Sequence, residues 1–243
     1  MTGRPLIEPR TRLPGKGIRL LVVIAIVPWL RYENDSSTLC AMEIVATGDR
    51  LSRIPPLEPP YDDVTAQRLT KMTPPAAPEP LALFRVMARN GVLAERASTF
   101  GAHFLGRRST LSLRDRELVI DRVTARCGAE YEWGVHVAAF AAAAGFDDAA
   151  IRAIAAESGD APSLTPRDRL LIRMVDELEA SADIGDALWR ELASAWNAEQ
   201  LLELLVLAGW YRAISYVCNA TRVPFEHWQR RFNAATQPHD RET

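Results

Sequence analysis

The chain has 243 residues, 48% of them hydrophobic and 25% charged, which suits one large globular domain or two small ones. Lys and Arg number 29 against 31 Asp and Glu, a net charge of −2, which argues against a dedicated nucleic-acid binder with its basic excess on one face. Cys40, Cys127 and Cys218 lie far apart and form no CxxC, so neither a zinc ribbon nor a dithiol pair is read, and a reducing, cytoplasmic setting is expected.

In chain order, Arg10, Arg12, Lys16 and Arg19 precede the apolar run LLVVIAIVPWL at 20–30. That pattern is like a signal peptide's charged start and short core, but no A-x-A site follows, and the run falls short of the ~20 residues a bilayer span needs. Residues 1–45 therefore read as a disordered or non-native extension, with Met42 as an alternative initiator. Residues 46–80 are proline-rich (RIPPLEPPYDD, TPPAAPEP), which predicts extended, wrapping segments around at most one short helix. From 81 to 234, Ala/Leu/Arg/Glu-rich stretches recur at helical spacing without strand-like alternation, and the fold class is all-α. Helices are expected near 81–104, 113–127, 130–144, 147–157, 166–180, 185–195, 198–219 and 224–234, followed by a flexible tail at 235–243.

Two helix starts are sharply written. Ser112 with Asp115, and Thr165-Pro166 with Asp168, each place a hydroxyl to take an orphan amide and an acid at the positive helix end. The two segments also match at an offset of 53 residues: Leu111 with Leu164, Arg114 with Arg167, Asp115 with Asp168, Arg116 with Arg169 and Leu118 with Leu171. Shared start chemistry or an internal helical pseudo-repeat accounts for this. The second copy has Leu170 in place of Glu117 and Trp189 in place of His136, so forming the helices requires neither acid nor imidazole. The segment 201–219 is apolar nearly all round, as in a core or subunit interface, while Glu203 and Arg212 argue against a membrane span.

The stretch CGAEYEWGVH, 127–136, gathers the most chemistry. Gly128 is a natural helix stop, so the flanking helices form a hairpin. Glu117 lies 10 residues before Cys127 and His136 lies 9 after it, which puts both roughly 14 Å from the turn, at one level. Glu132 and His136 share a face at i, i+4, and Asp121 follows Glu117 by one turn. Tyr131 and Trp133 stand beside them. Two readings stay open on the residues alone: a carboxylate–imidazole site, or a helix contact with ordinary aromatic packing. No metal is expected, because HExxH is absent and Glu132 to His136 is not the Glu-x-x-His spacing of di-iron bundles. Cys127 is a nucleophile or a small buried hydrophobe. His103, His227 and His239 have no motif around them.

RELVIDRVTARCGAEYEWGVHVAAFAAAAGFDDAAI, with the preceding ARNGVLAERASTFGAHFLGRRSTLS, resembles the carboxymuconolactone decarboxylase family, which includes the alkylhydroperoxidase D-like proteins. LTPRDRLLIRMVDEL and LLELLVLAGWYRAISYVCNATRV are similar to the C-terminal helices of longer members, so the likeness spans about 54–233. It implies an alkylhydroperoxidase D-like helical domain assembled as a homotrimer or hexamer, with sites near subunit contacts and no cofactor. In the peroxidase branch a CxxC precedes the motif histidine, and a glutamate 19 positions before that histidine shares its proton relay. Glu117 and His136 match the relay positions, whereas Ala129 and Glu132 stand where the cysteines would. Without a resolving thiol, peroxiredoxin-type activity through Cys127 is disfavoured.

The resulting expectation is a decarboxylase-like lyase acting on a small carboxylate or lactone. His136 would be the acid/base, Glu117 its orienting partner and Tyr131 a hydrogen-bond donor, with Arg122, Glu132 and Trp133 on the substrate. The alternative class is a non-catalytic, oligomeric small-molecule-binding protein on the same scaffold. The partners expected are a small molecule and the chain itself, not nucleic acid or membrane. Glu117→Gln is expected to cost folding only roughly 1 kcal/mol if the carboxylate is partly solvated.

Overall fold

Helix starts, stops and apolar faces account for the arrangement in the computed structural model, which describes residues 46–47, 50–74, 77, 79–156 and 161–232. These lie within one of the two units into which the chain divides, Met42–Thr243. The expected extension at 1–45 and the tail at 235–243 fall outside the described residues. A two-residue antiparallel ladder, β1 (Ala46–Thr47) with β2 (Arg50–Leu51), pairs Ala46 with Leu51 and Thr47 with Arg50. All else regular among the described residues is helical: α1 (Asp63–Met72), α2 (Ala82–Met87), α3 (Gly91–Leu105), α4 (Leu113–Arg126), α5 (Glu130–Phe140), α6 (Asp148–Ala155), α7 (Pro166–Ser181), α8 (Asp186–Ala195) and α9 (Ala198–Thr221).

Three expected helices differ. The one at 81–104 is two, because Asn90 caps a new start by accepting the Leu93 amide and the chain turns at Ala88. The one at 130–144 ends at Phe140, and the chain turns on to Gly145 in a left-handed conformation. The one at 224–234 is not formed over 224–231, an irregular strap with a turn at 227–228; Phe232 is helical, and 233–234 lie outside the described residues. In the proline-rich segment, Arg53 donates its amide to the Thr221 carbonyl at the end of α9 and Leu57 to Arg85 on α2, with α1 as its one helix.

α4 is the central helix, packed against α5, α6, α7 and α9. Its sequence, LRDRELVIDRVTAR, is half charged, yet every residue from Asp115 to Thr124 is buried. That is tolerable because the charges, Asp121 apart, are paired. Arg114 donates from Nε and Nη2 to the Asp168 carboxylate at 3.0 and 2.8 Å, and Arg167 donates likewise to Asp115 at 3.2 and 2.9 Å. The two Arg-Asp dipeptides of the repeated segment thus exchange partners across α4 and α7. The written likeness of the two helix starts is therefore matched by reciprocal contacts between them.

α9 is long and apolar enough to cross a membrane, although half of its most apolar window is buried against the rest of the chain. Its Leu201, Leu204, Leu207, Ala208 and Tyr211 join the main core with Leu118, Val119, Trp133 and Leu171. A smaller apolar cluster gathers α2, Tyr131, Val135, Ile214 and Cys218.

Candidate active site

The α4–α5 hairpin closes with bonds that glycine permits. Gly128 sits at φ +60°, in the left-handed region. Its amide donates to Ala125 and that of Ala129 to Thr124, the two bonds of a Schellman stop. Cys127 is the residue just before that stop.

The reversal brings His136 Nδ1 to 2.8 Å from Glu117 Oε2, at the shared level the rise per residue implies. His136 Nε2 lies 3.5 Å from Glu132 Oε1 on its own helix. Arg116 donates from Nε and Nη2 to Glu117 Oε1, at 2.8 and 2.7 Å. The order is therefore guanidinium, carboxylate, imidazole, carboxylate. Tyr211 of α9 meets the imidazole edge-on at 5.1 Å between centroids, and Phe140 lies 5.4 Å from it. Cys218 Sγ is 4.0 Å from Glu132 Oε2. All of this is buried: Glu117 is 0% exposed, His136 4% and Glu132 7%.

Burial acts to lower the His136 pKa, but the charge and hydrogen bond of Glu117, helped by Glu132, outweigh it and push the value up to about 10. The imidazole is a cation at neutral pH. Two cations, Arg116 and His136, then face two carboxylates, Glu117 and Glu132. Burial, reinforced by Glu117, raises Asp121 well above the usual carboxylate value, and its Oδ1 has no hydrogen-bond partner. Burial, then Glu132, raises both the Tyr211 hydroxyl and the Cys218 thiol.

Several residues read as part of the site are placed elsewhere. Tyr131 donates to Glu226 Oε1 at 2.7 Å and accepts the Leu83 amide at 3.2 Å. Trp133 is fully buried against Phe232, ring centroids 4.7 Å apart, and its indole N–H has no partner. Each is one residue, hence a 100° turn of the helix, away from Glu132. Arg122 is committed to α6 and α7, donating to Asp176 at 2.7 and 2.9 Å and to the carbonyls of Ile154 and Ala156. Its guanidinium is no substrate clamp in this arrangement. Cys127 is half-buried, with Sγ 4.0 Å from Glu179 Oε2. Among the described residues no His/Cys/Asp/Glu group is arranged to hold a metal ion.

Sequence reasoning missed Arg116, Tyr211 and Cys218 as members of the cluster. Neighbours at i, i+1 on a helix do not ordinarily face one another, so Arg116 carried no signal. Tyr211 and Cys218 come from an apolar helix whose register against α5 no local pattern encodes.

Gly134 explains why the motif has a glycine in mid-helix. The strap crosses α5 there, the Arg230 amide donating to the Gly134 carbonyl, and a Cβ on Gly134 would lie 2.1 Å from the Arg230 carbonyl oxygen. Gly134→Ala is expected to displace the strap and lower stability by about 1–3 kcal/mol, against the small gain alanine gives an open helix. Thermal melting checks this; an unchanged or raised midpoint would contradict it.

The profile of the carboxymuconolactone decarboxylase family matches residues 92–167, which contain Glu117, Cys127, Glu132 and His136. This segment is a carboxymuconolactone decarboxylase family domain. A solved structure titled as an uncharacterized peroxidase-related protein from Silicibacter sp. TM1040 is similar over 73% of this chain and 93% of its own, at TM-score 0.63 and 20% identity. That likeness establishes the shared fold. No curated protein sequence matches the chain. The family segment holds α3 to α6 and the start of α7, so Cys218 and Tyr211 reach its cluster from beyond the matched residues.

Proposed function

We propose that the chain is an acid–base enzyme of the decarboxylase kind, in which Glu117, His136 and Glu132 handle a proton for a small carboxylate or lactone substrate. The observation that carries this is the imidazole held between two carboxylates, Nδ1 on Glu117 and Nε2 toward Glu132. When a lactone acid loses CO₂, the carbon–carbon bond breaks and its electron pair spreads over the lactone as a dienolate. A carbon–hydrogen bond must then form, and the His136 imidazolium is the stored proton for it. Glu117 keeps the ring charged and oriented, and Arg116 holds Glu117. Glu132, the most exposed of the three, is the outward member. The similar helix start of α7 supports the reading, since it has Leu170 where α4 has Glu117 and is helical all the same.

A second reading, a non-catalytic small-molecule-binding oligomer, draws on the burial. Among the described residues, neither the cavity beside Pro56 and Phe225 nor the one between α3 and α9 has Glu117, His136 or Glu132 in its walls. Hydroperoxide reduction, the family-level alternative, is weaker: Cys127 and Cys218 each face a different carboxylate, with neither in a disulfide. Incubating a series of carboxylated lactones with the protein and following CO₂ release separates these. Release that falls about a hundredfold in His136→Asn supports the enzyme. No release from any lactone, with the protein folded, favours the binding protein.

The proposal includes self-association. The second half of α9 exposes Gly209, Ala213, Tyr216 and Ala220 in one line at i, i+4, i+7 and i+11. Light scattering is expected to give a multiple of 27.0 kDa; a monomer at micromolar concentration would contradict it.

A further inference from the structure

A cleft of about 620 Å³ lies between α3 and α9, within the range of small-molecule sites. Its walls are apolar: Phe100 and Phe104 from α3, Leu202 and Val206 from α9. Its polar groups sit at two levels. Deep in it, Glu203 is 7% exposed, with Oε2 accepting the amide and hydroxyl of Thr110 at 2.8 and 2.5 Å. The other oxygen, Oε1, is buried and has no hydrogen bond, its one close partner being the half-exposed His103 ring in an ion pair at 3.5 Å. A buried carboxylate oxygen without a donor is costly and rare. At the exposed level stand Arg96 and Arg108, which make no ion pair among the described residues.

We propose that this cleft binds a small aromatic carboxylate bearing a hydroxyl, the ring between Phe100 and Val206, the hydroxyl donating to Glu203 Oε1, and the carboxylate at Arg96 and Arg108. The apolar walls select the ring, the orphan acceptor selects a donor, and the two guanidiniums select an anion. A ligand with only a ring and a carboxylate leaves Glu203 unsatisfied, so the hydroxyl is the specificity element. The site is separate from the buried relay. Arg116 bridges the two, donating to the Phe104 carbonyl at 3.3 Å while holding Glu117. The proposal stands whether or not the relay is catalytic.

Titration calorimetry with 4-hydroxycinnamate tests it. Saturable binding is expected, weakened at least tenfold by Arg96→Gln with Arg108→Gln and by Val206→Trp, which fills the cleft from an exposed position. Cinnamate, lacking the hydroxyl, is expected to bind at least several-fold more weakly, and His136→Asn to bind as the wild type does. No saturable heat, or binding indifferent to Val206→Trp, would overturn the proposal. So would binding lost in His136→Asn but kept in the arginine double variant, which would place the probe at the relay.

Discussion

Glu117→Gln is expected to lower stability by about 3–5 kcal/mol, the scale for removing one partner of a buried ion pair. This revises the figure of roughly 1 kcal/mol that partial solvation would give, because Glu117 is wholly buried and serves two cations at once. Glutamine keeps the shape but leaves Arg116 and His136 with Glu132 as the remaining anion. The imidazole then loses its main support, and burial favours its neutral form. Turnover of any verified substrate should fall about a hundredfold or more. Denaturant midpoints and rates measured in conditions where both proteins are folded check the two halves. Full activity in a folded Glu117→Gln protein would remove Glu117 from the chemistry.

Asp168→Ala is expected to cost about 3–5 kcal/mol, with no local effect on the relay. Asp168 is 1% exposed and does two things. It completes the capping box of α7 by accepting the Thr165 amide at 2.7 Å, and it receives the two-pronged Arg114 guanidinium. Burial alone would raise its pKa, but Arg114 and Thr165 prevail and hold it below the usual carboxylate value. Its stabilising contribution is therefore present above pH 3.8 and is lost as pH falls through the lower, folded value. Asp168→Asn keeps some cap bonding and should lose less. Equal midpoints for wild type and Asp168→Ala would show that the exchanged Arg-Asp pairs contribute nothing.

What could be read from the chain followed from local rules. Ser112, Thr165 and Gly128 set helix ends by hydrogen bonds within a few residues, so those boundaries fall within a residue of expectation. The Glu117–His136 contact was legible because a Gly-stopped hairpin fixes its own register. The arginines were not. LRDRELVIDRVTAR has the composition of a solvated helix, and partners brought in by the fold, most of them on α7 far along the sequence, make its burial possible. Arg122 was read as a substrate-facing cation for that reason, and Asp176 could not be named as its partner. Tyr131 and Trp133 lie in the same motif as His136, but adjacency in sequence is divergence around a helix. Their partners are Glu226, in a strap of helical composition that forms no helix over 224–231, and Phe232 just after it.

The central claim is that His136 is an imidazolium clamped between Glu117 and Glu132. An NMR titration of the ring nitrogens tests it most directly. The folded pKa is raised from 6.5 to about 10, so the group's stabilising contribution is whole below pH 6.5 and declines as pH rises toward 10, by at most about 1.4 kcal/mol per pH unit. The expected spectrum is that of a doubly protonated ring, unchanged from pH 6 to beyond pH 8, with its titration moved downward in Glu117→Gln. A ring that titrates near 6.5, with one unprotonated nitrogen at pH 8, would contradict the account.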